Sequence, residues 1–169
     1  MNERFSAFKF LALRLGVFVA AVLIAYLFAS ATASLAVADS LRGMGVDIPP
    51  ARAAAMILHD LTGMASMFLP MVAFALLVAF MVAALLCRWL SRGRVILYVL
   101  AGGTALVSIH LTLHLAFAIT PVAIARTGWG LLAQGAAGGL GGATYLYLTR
   151  RMKASYPTVS QPGTVRSGR

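Results

Sequence analysis

His110 and His114 stand four residues apart in a long apolar run at 95–119. In an α-helix that spacing puts both imidazoles on one face. An imidazole among apolar groups can ligate a metal, bind haem iron axially, relay a proton, or make one interhelical hydrogen bond. Met67 and Met71 repeat the spacing in a second apolar run, and thioether with imidazole is a donor set that suits copper. Gln134 and Tyr26 supply neutral hydrogen-bonding groups in two further runs. His59 is the third histidine and the natural second ligand for a haem held by two imidazoles. It precedes Asp60, however, which also fits a hydrogen bond at an interface. A plainer reading of the same residues is a His–Gln–Tyr layer that fixes helix register, with the methionines as apolar filler. Haem b and copper remain open beside it.

These residues need elements to hold them, and the composition says which kind. The chain of 169 residues is 61% hydrophobic and 11% charged, with a mean hydropathy of +0.90. A water-soluble domain of this length needs more polar surface, whereas lipid lets apolar side chains face outward. A helix needs about 20 apolar residues to cross a hydrocarbon core of roughly 30 Å. The pattern predicts an all-α, antiparallel four-transmembrane-helix bundle over 1–153, with spans near 10–38, 64–87, 95–119 and 128–148. A polar turn at 39–47 and Pro49-Pro50 separate the first two spans, with Asp47 placed to help cap the next helix. That helix, about 51–62, contains Arg52, His59 and Asp60 and reads as interfacial. Thr120-Pro121 opens a short outer connection ending near Arg126, and 154–169 reads as a disordered basic tail. The first apolar run resembles a secretory signal with cleavage after Ala33 or Ala38, but it exceeds the usual 7–15 residues of such a core. It is therefore read as a retained span.

Charge sets the expected orientation. Arg4, Lys9, Arg14, Arg88, Arg92, Arg94, Arg150, Arg151, Lys153, Arg166 and Arg169 fall on one side of the alternating topology, against Arg42, Arg52 and Arg126 on the other. By the positive-inside tendency both termini are cytoplasmic, in a bacterial-type inner membrane, with anionic lipid against the inner face. The arginines also serve as depth markers. At ~1.5 Å per residue, His110 lies sixteen residues above Arg94, Gln134 sixteen above Arg150 and Met71 seventeen above Arg88. All three should share one level, about 24 Å from the inner boundary, with Met67 level with His114. Tyr26, seventeen residues above Lys9, joins the layer if Lys9 marks the boundary. His59 lies about 12 Å too high unless its helix folds back at Gly63.

The fourth run is rich in glycine. Gly128, Gly135 and Gly142 recur every seven residues with Gly138 and Gly139 between them, and the third run offers Gly102 and Gly103. Small-xxx-small pairs let helix backbones approach closely in lipid, so spans three and four should cross tightly where Gly102 and Gly142 are level. The alternative use of this face is a homodimer or a membrane-protein partner through span four.

Several classes are excluded. The net charge of +10 flanks the apolar runs and forms no aromatic-interleaved patch, which argues against nucleic acid. A single cysteine, Cys87, rules out an internal disulfide and the paired-cysteine chemistry of quinone-linked thiol oxidases. There is no nucleophile–base pattern, no zinc-protease motif and no acidic residue within the four spans. The expected function is a non-catalytic membrane subunit or assembly factor. The alternatives are a haem- or copper-binding redox component and a small permease.

Overall fold

The computed structural model describes the backbone of residues 2–90, 93–117 and 128–155, and their side chains except at 2–7, 10, 114, 116, 117, 128, 153 and 155. Five helices account for the regular structure among these residues: α1 (Asn2–Gly43), α2 (Pro50–Gly63), α3 (Ala65–Trp89), α4 (Arg94–Phe117) and α5 (Gly128–Ser155). Three stretches, Leu11–Gly43, Ala65–Trp89 and Arg94–Leu113, are long and apolar enough to cross a membrane. Large apolar side chains such as Leu23, Leu27, Phe74, Leu85 and Leu100 face outward from them. That distribution is costly in water and neutral in lipid, so the chain is a helical membrane protein. The connection through Thr120, Pro121 and Arg126, and the tail beyond Ser155, lie outside the described residues.

Local sequence explains the breaks. α1 runs past its apolar stretch through Asp39 and Arg42 to Gly43. Gly45 then takes φ +84°, a left-handed conformation that side chains with a Cβ resist. Arg42 reaches back with Nε and Nη2 donating to the Ile48 carbonyl at 3.3 and 3.0 Å, which orders the turn. Asp47 does not cap α2. The N-cap is Pro49 in an extended conformation, with no side-chain cap bond, because the diproline sets the helix start by itself. Between α2 and α3 only Met64 is non-helical. Its backbone stays right-handed, its N–H bonds to the Asp60 carbonyl at 2.9 Å, and the two helices follow one another with hardly a break.

Around the bundle the order is α1, α5, α4, α3, and α2 lies against the C-terminal part of α1. Consecutive long helices are neighbours, as short connections require. Each turns one stripe inward: Ala21, Ala25, Ala29 and Ala33 on α1, and Phe68, Val72, Leu76 and Phe80 on α3. The α1 stripe is all alanine because α5 lies directly on it. A Cβ on Gly141 would stand 2.9 Å from Ala25 Cβ and 3.0 Å from the Ala21 carbonyl oxygen. α5 also lies backbone to backbone on α4. A Cβ on Gly102 would strike the Gly138 carbonyl, one on Gly138 the Gly102 carbonyl, and one on Gly142 the Tyr98 carbonyl. Gly103 faces Gly135, and Gly139 faces Val99. With backbone as its contact surface, α5 carries few large apolar side chains, which explains why it stands apart from the three strongly apolar helices. Gly128 begins α5 and lies beyond this seam.

Candidate polar site inside the helix bundle

The glycine seam fixes the height and rotation of α5, and with them the position of Gln134. This side chain is 0% exposed. Its Nε2 donates to the Ala29 carbonyl at 3.0 Å and lies 3.4 Å from Thr32 Oγ1, which itself donates into the α1 backbone. A carbonyl only accepts, so the amide nitrogen must face Ala29 and the amide oxygen must face away. Oε1 has no hydrogen-bond partner. On the neighbouring helix, His110 is 3% exposed and approaches the Gln134 side chain. Neither of its ring nitrogens meets hydrogen-bond geometry. A neutral imidazole has one N–H to give, and Gln134 Oε1 is an acceptor with nothing to accept, so the pair is complementary.

Two aromatic rings and a hydroxyl ladder extend the layer. The His110 ring lies 5.9 Å from Phe68, and Phe68 lies 6.1 Å from Tyr26. The Tyr26 hydroxyl donates to the Leu61 carbonyl at 2.7 Å. Ser30 and Ser34 follow Tyr26 at helical spacing on α1, both almost fully buried. Ser34 Oγ lies 2.7 Å from Asp60 Oδ2 and 3.1 Å from the Ser30 carbonyl. Ser30 Oγ has no partner. Tyr26 and Ser34 thus fasten the end of α2 onto α1, and Asp60 belongs to this network.

The other residues singled out from the sequence lie elsewhere. Met67 is 78% exposed, on the outside of α3. Met71 is half-buried and lines, with Ile109, a lateral groove that His110 does not line. His59 is exposed on α2. The side chain of His114 lies outside the described residues. Among the described residues no three His, Cys, Asp or Glu side chains are placed to hold a metal ion. Cys87 is a buried free thiol at the far end of α3.

Ser30 and Ser34 are not singled out in the sequence, where Asp60 reads as an interfacial hydrogen-bonding group beside His59 and not as the partner of Ser34. The available signal was the Tyr26–Ser30–Ser34 periodicity, hidden in a stretch where small residues read as ordinary helix-packing positions. Depth also needs its origin corrected on α1. Arg14 lines the same cleft as Arg94 and Arg150, so Arg14, not Lys9, is their counterpart. Counted from Arg14, Ala29 lies fifteen residues up, against sixteen for Gln134, and these two are bonded. Tyr26 lies one turn lower and reaches the network through its long side chain.

No family model matches this chain, and no curated protein or solved structure is significantly similar to it.

Proposed function

We propose that the protein is a four-span, non-catalytic subunit or assembly factor of a bacterial-type inner membrane, with both termini cytoplasmic and α2 at the outer interface. From Trp129 to Arg150 α5 covers about 31 Å, enough for a hydrocarbon core of roughly 30 Å. Trp89 and Trp129 are 85% and 84% exposed, at the inner end of α3 and the outer end of α5 in this topology. Exposed tryptophans at both boundaries suit the aromatic belts of a bilayer. Ser34 stands about 30 Å above Arg14, which puts Asp60 and the end of α2 at the outer edge of the membrane.

The observation that carries the subunit reading is a lateral groove of about 570 Å³ between α3 and α4. The glycine face of α5 is covered by α4 and α1, so a partner docking there would have to displace them. The groove is uncovered. One wall carries Thr104, Ser108 and Thr112 at successive helical turns, and the other carries Met71, Phe74 and Val78. Small hydroxyl residues facing lipid give an acyl chain nothing to bond, but they admit a helix backbone closely; the Thr104 hydroxyl donates to the Leu100 and Ala101 carbonyls of its own helix and leaves its oxygen to accept. The occupant proposed is a transmembrane helix of another protein; a second copy of this chain would give an adduct of twice the chain mass instead.

Photo-crosslinking from position 108 in native membranes tests this. The expected result is one defined adduct with a different membrane protein, absent from position 140 on the exposed side of α5 and abolished by Thr104→Leu. Equal adducts from 108 and 140, or none from 108, would refute it. The redox alternative has one observation in its favour, the unpartnered ring nitrogens of buried His110. A Soret band or stoichiometric copper in the purified protein, lost in His110→Ala, would replace the subunit reading.

A further inference from the structure

At the end of the bundle opposite Trp129 a second cleft of about 290 Å³ opens between α1, α3, α4 and α5. Arg14, Arg94 and Arg150 line it, one from each of three helices. Tyr98, Tyr145 and Thr149 line it as well. Among the described residues no carboxylate does; Asp39, Asp47 and Asp60 stand toward the other end of the bundle, and the side chain of Glu3, at the start of α1, lies outside the described residues. Tyr98 and Tyr145 stack at 5.4 Å, and Phe80 packs on Tyr145 at 4.8 Å, which gives the cleft a rigid aromatic floor. The close approach of Gly142 to the Tyr98 backbone holds α4 and α5 together just beneath it. Arg94 and Arg14 lie within electrostatic range of the Tyr98 hydroxyl, so charge and hydroxyl donors converge on one volume.

Three guanidinium groups lining one small cleft concentrate positive charge there and favour an anion. Guanidinium groups bind phosphoryl oxygens in bidentate fashion, and phenol or threonine hydroxyls add single donors. Basic pockets between transmembrane helices at the cytoplasmic boundary suit anionic headgroups. In the proposed topology this cleft lies at that boundary, beside the exposed apolar side chains of Leu11 and Leu15 on α1, where acyl chains can rest. We infer that the cleft binds the phosphoryl group of an anionic phospholipid, seated among Arg14, Arg94 and Arg150. This depends on the membrane topology and is independent of the groove and its partner.

Native mass spectrometry of the detergent-purified full chain tests it. Phosphatidylglycerol or cardiolipin should remain as one bound lipid under conditions that strip phosphatidylcholine. Arg94→Gln and Arg150→Gln, made separately, should each weaken retention about tenfold, while Arg52→Gln on α2 leaves it unchanged. Arg94 and Arg150 are both exposed, so neither substitution opens a gap in the core. Near-ultraviolet circular dichroism of the Tyr98–Tyr145 pair reports that each variant retains the bundle. Equal retention of phosphatidylcholine, or an equal loss in Arg52→Gln, would overturn the site. Arg94- and Arg150-dependent binding of inorganic phosphate, without lipid retention, would overturn the lipid assignment in favour of a soluble phosphate.

Discussion

Replacing Gly138 by alanine adds one methyl group at one of the tightest points of the bundle. That methyl would collide with the Gly102 carbonyl oxygen, and its next neighbours are the Gly102 carbonyl carbon at 2.7 Å and the Gly103 amide nitrogen at 3.2 Å. All three are backbone atoms, so no rotamer change relieves the clash. The helices must part by on the order of 1 Å to restore van der Waals distance. Parting also loosens Gly103 against Gly135 and Gly142 against Tyr98 along the same seam. Overpacking of this kind costs about 3 kcal/mol at the upper end of its usual range. Helix propensity works the other way and favours alanine by about 1 kcal/mol. The net loss is about 2 kcal/mol, roughly a thirtyfold fall in the folded-to-unfolded ratio. Gly16→Ala supplies the opposite case. No atom lies within 4 Å of its added Cβ, so only propensity acts and the variant should be neutral or stabilised by up to about 1 kcal/mol. Reversible unfolding in mixed micelles, followed by near-ultraviolet circular dichroism of the Tyr98–Tyr145 stack, measures both. The Gly102→Ala/Gly138→Ala double variant should lose less than the sum of the single losses, because one separation relieves both clashes. A Gly138→Ala protein as stable as wild type, or a Gly16→Ala protein equally damaged, would refute the seam.

Gln134→Leu should cost about 1–2 kcal/mol through the lost Ala29 bond, and His110→Phe should add less than its single cost on that background. A double-mutant cycle in the same micelles reads the coupling, and strict additivity would mean that the two side chains do not interact. Ser34→Ala and Tyr26→Phe should each release the end of α2 at a cost of about 1 kcal/mol. Amide exchange across residues 55–63 should then quicken while α3 beyond Val72 stays protected; unchanged exchange would show that α2 is held by other contacts.

Much of the fold is legible in the sequence because lipid simplifies the code. The apolar run at 64–87 falls on α3, and the described part of the run at 95–119 falls on α4, since in a bilayer length and hydropathy weigh most in deciding a helix. α5 is less visible by hydropathy because glycine and Gln134 replace the bulky residues that a backbone-to-backbone contact excludes. Counting residues gives depth but not azimuth. His110 and Gln134 share a level and meet, whereas Met67 and Met71 have comparable depths and face outward or into the groove. Which residue starts the count is also a tertiary property. Only the gathering of Arg14 with Arg94 and Arg150 selects it over Lys9. Asp60 enters the network because α2 docks against Ser34, a contact with no local signature in the helix that carries it.

The central claim is that four helices cross one bilayer with both termini inside. Single-cysteine labelling in intact cells, on a Cys87→Ser background, tests it most directly. A membrane-impermeant maleimide should label Met44→Cys and Trp129→Cys from outside, and should reach Leu90→Cys and Ala154→Cys only after the membrane is opened. Outside labelling of Ala154→Cys in intact cells would mean that α5 does not return to the cytoplasm, and would contradict the account.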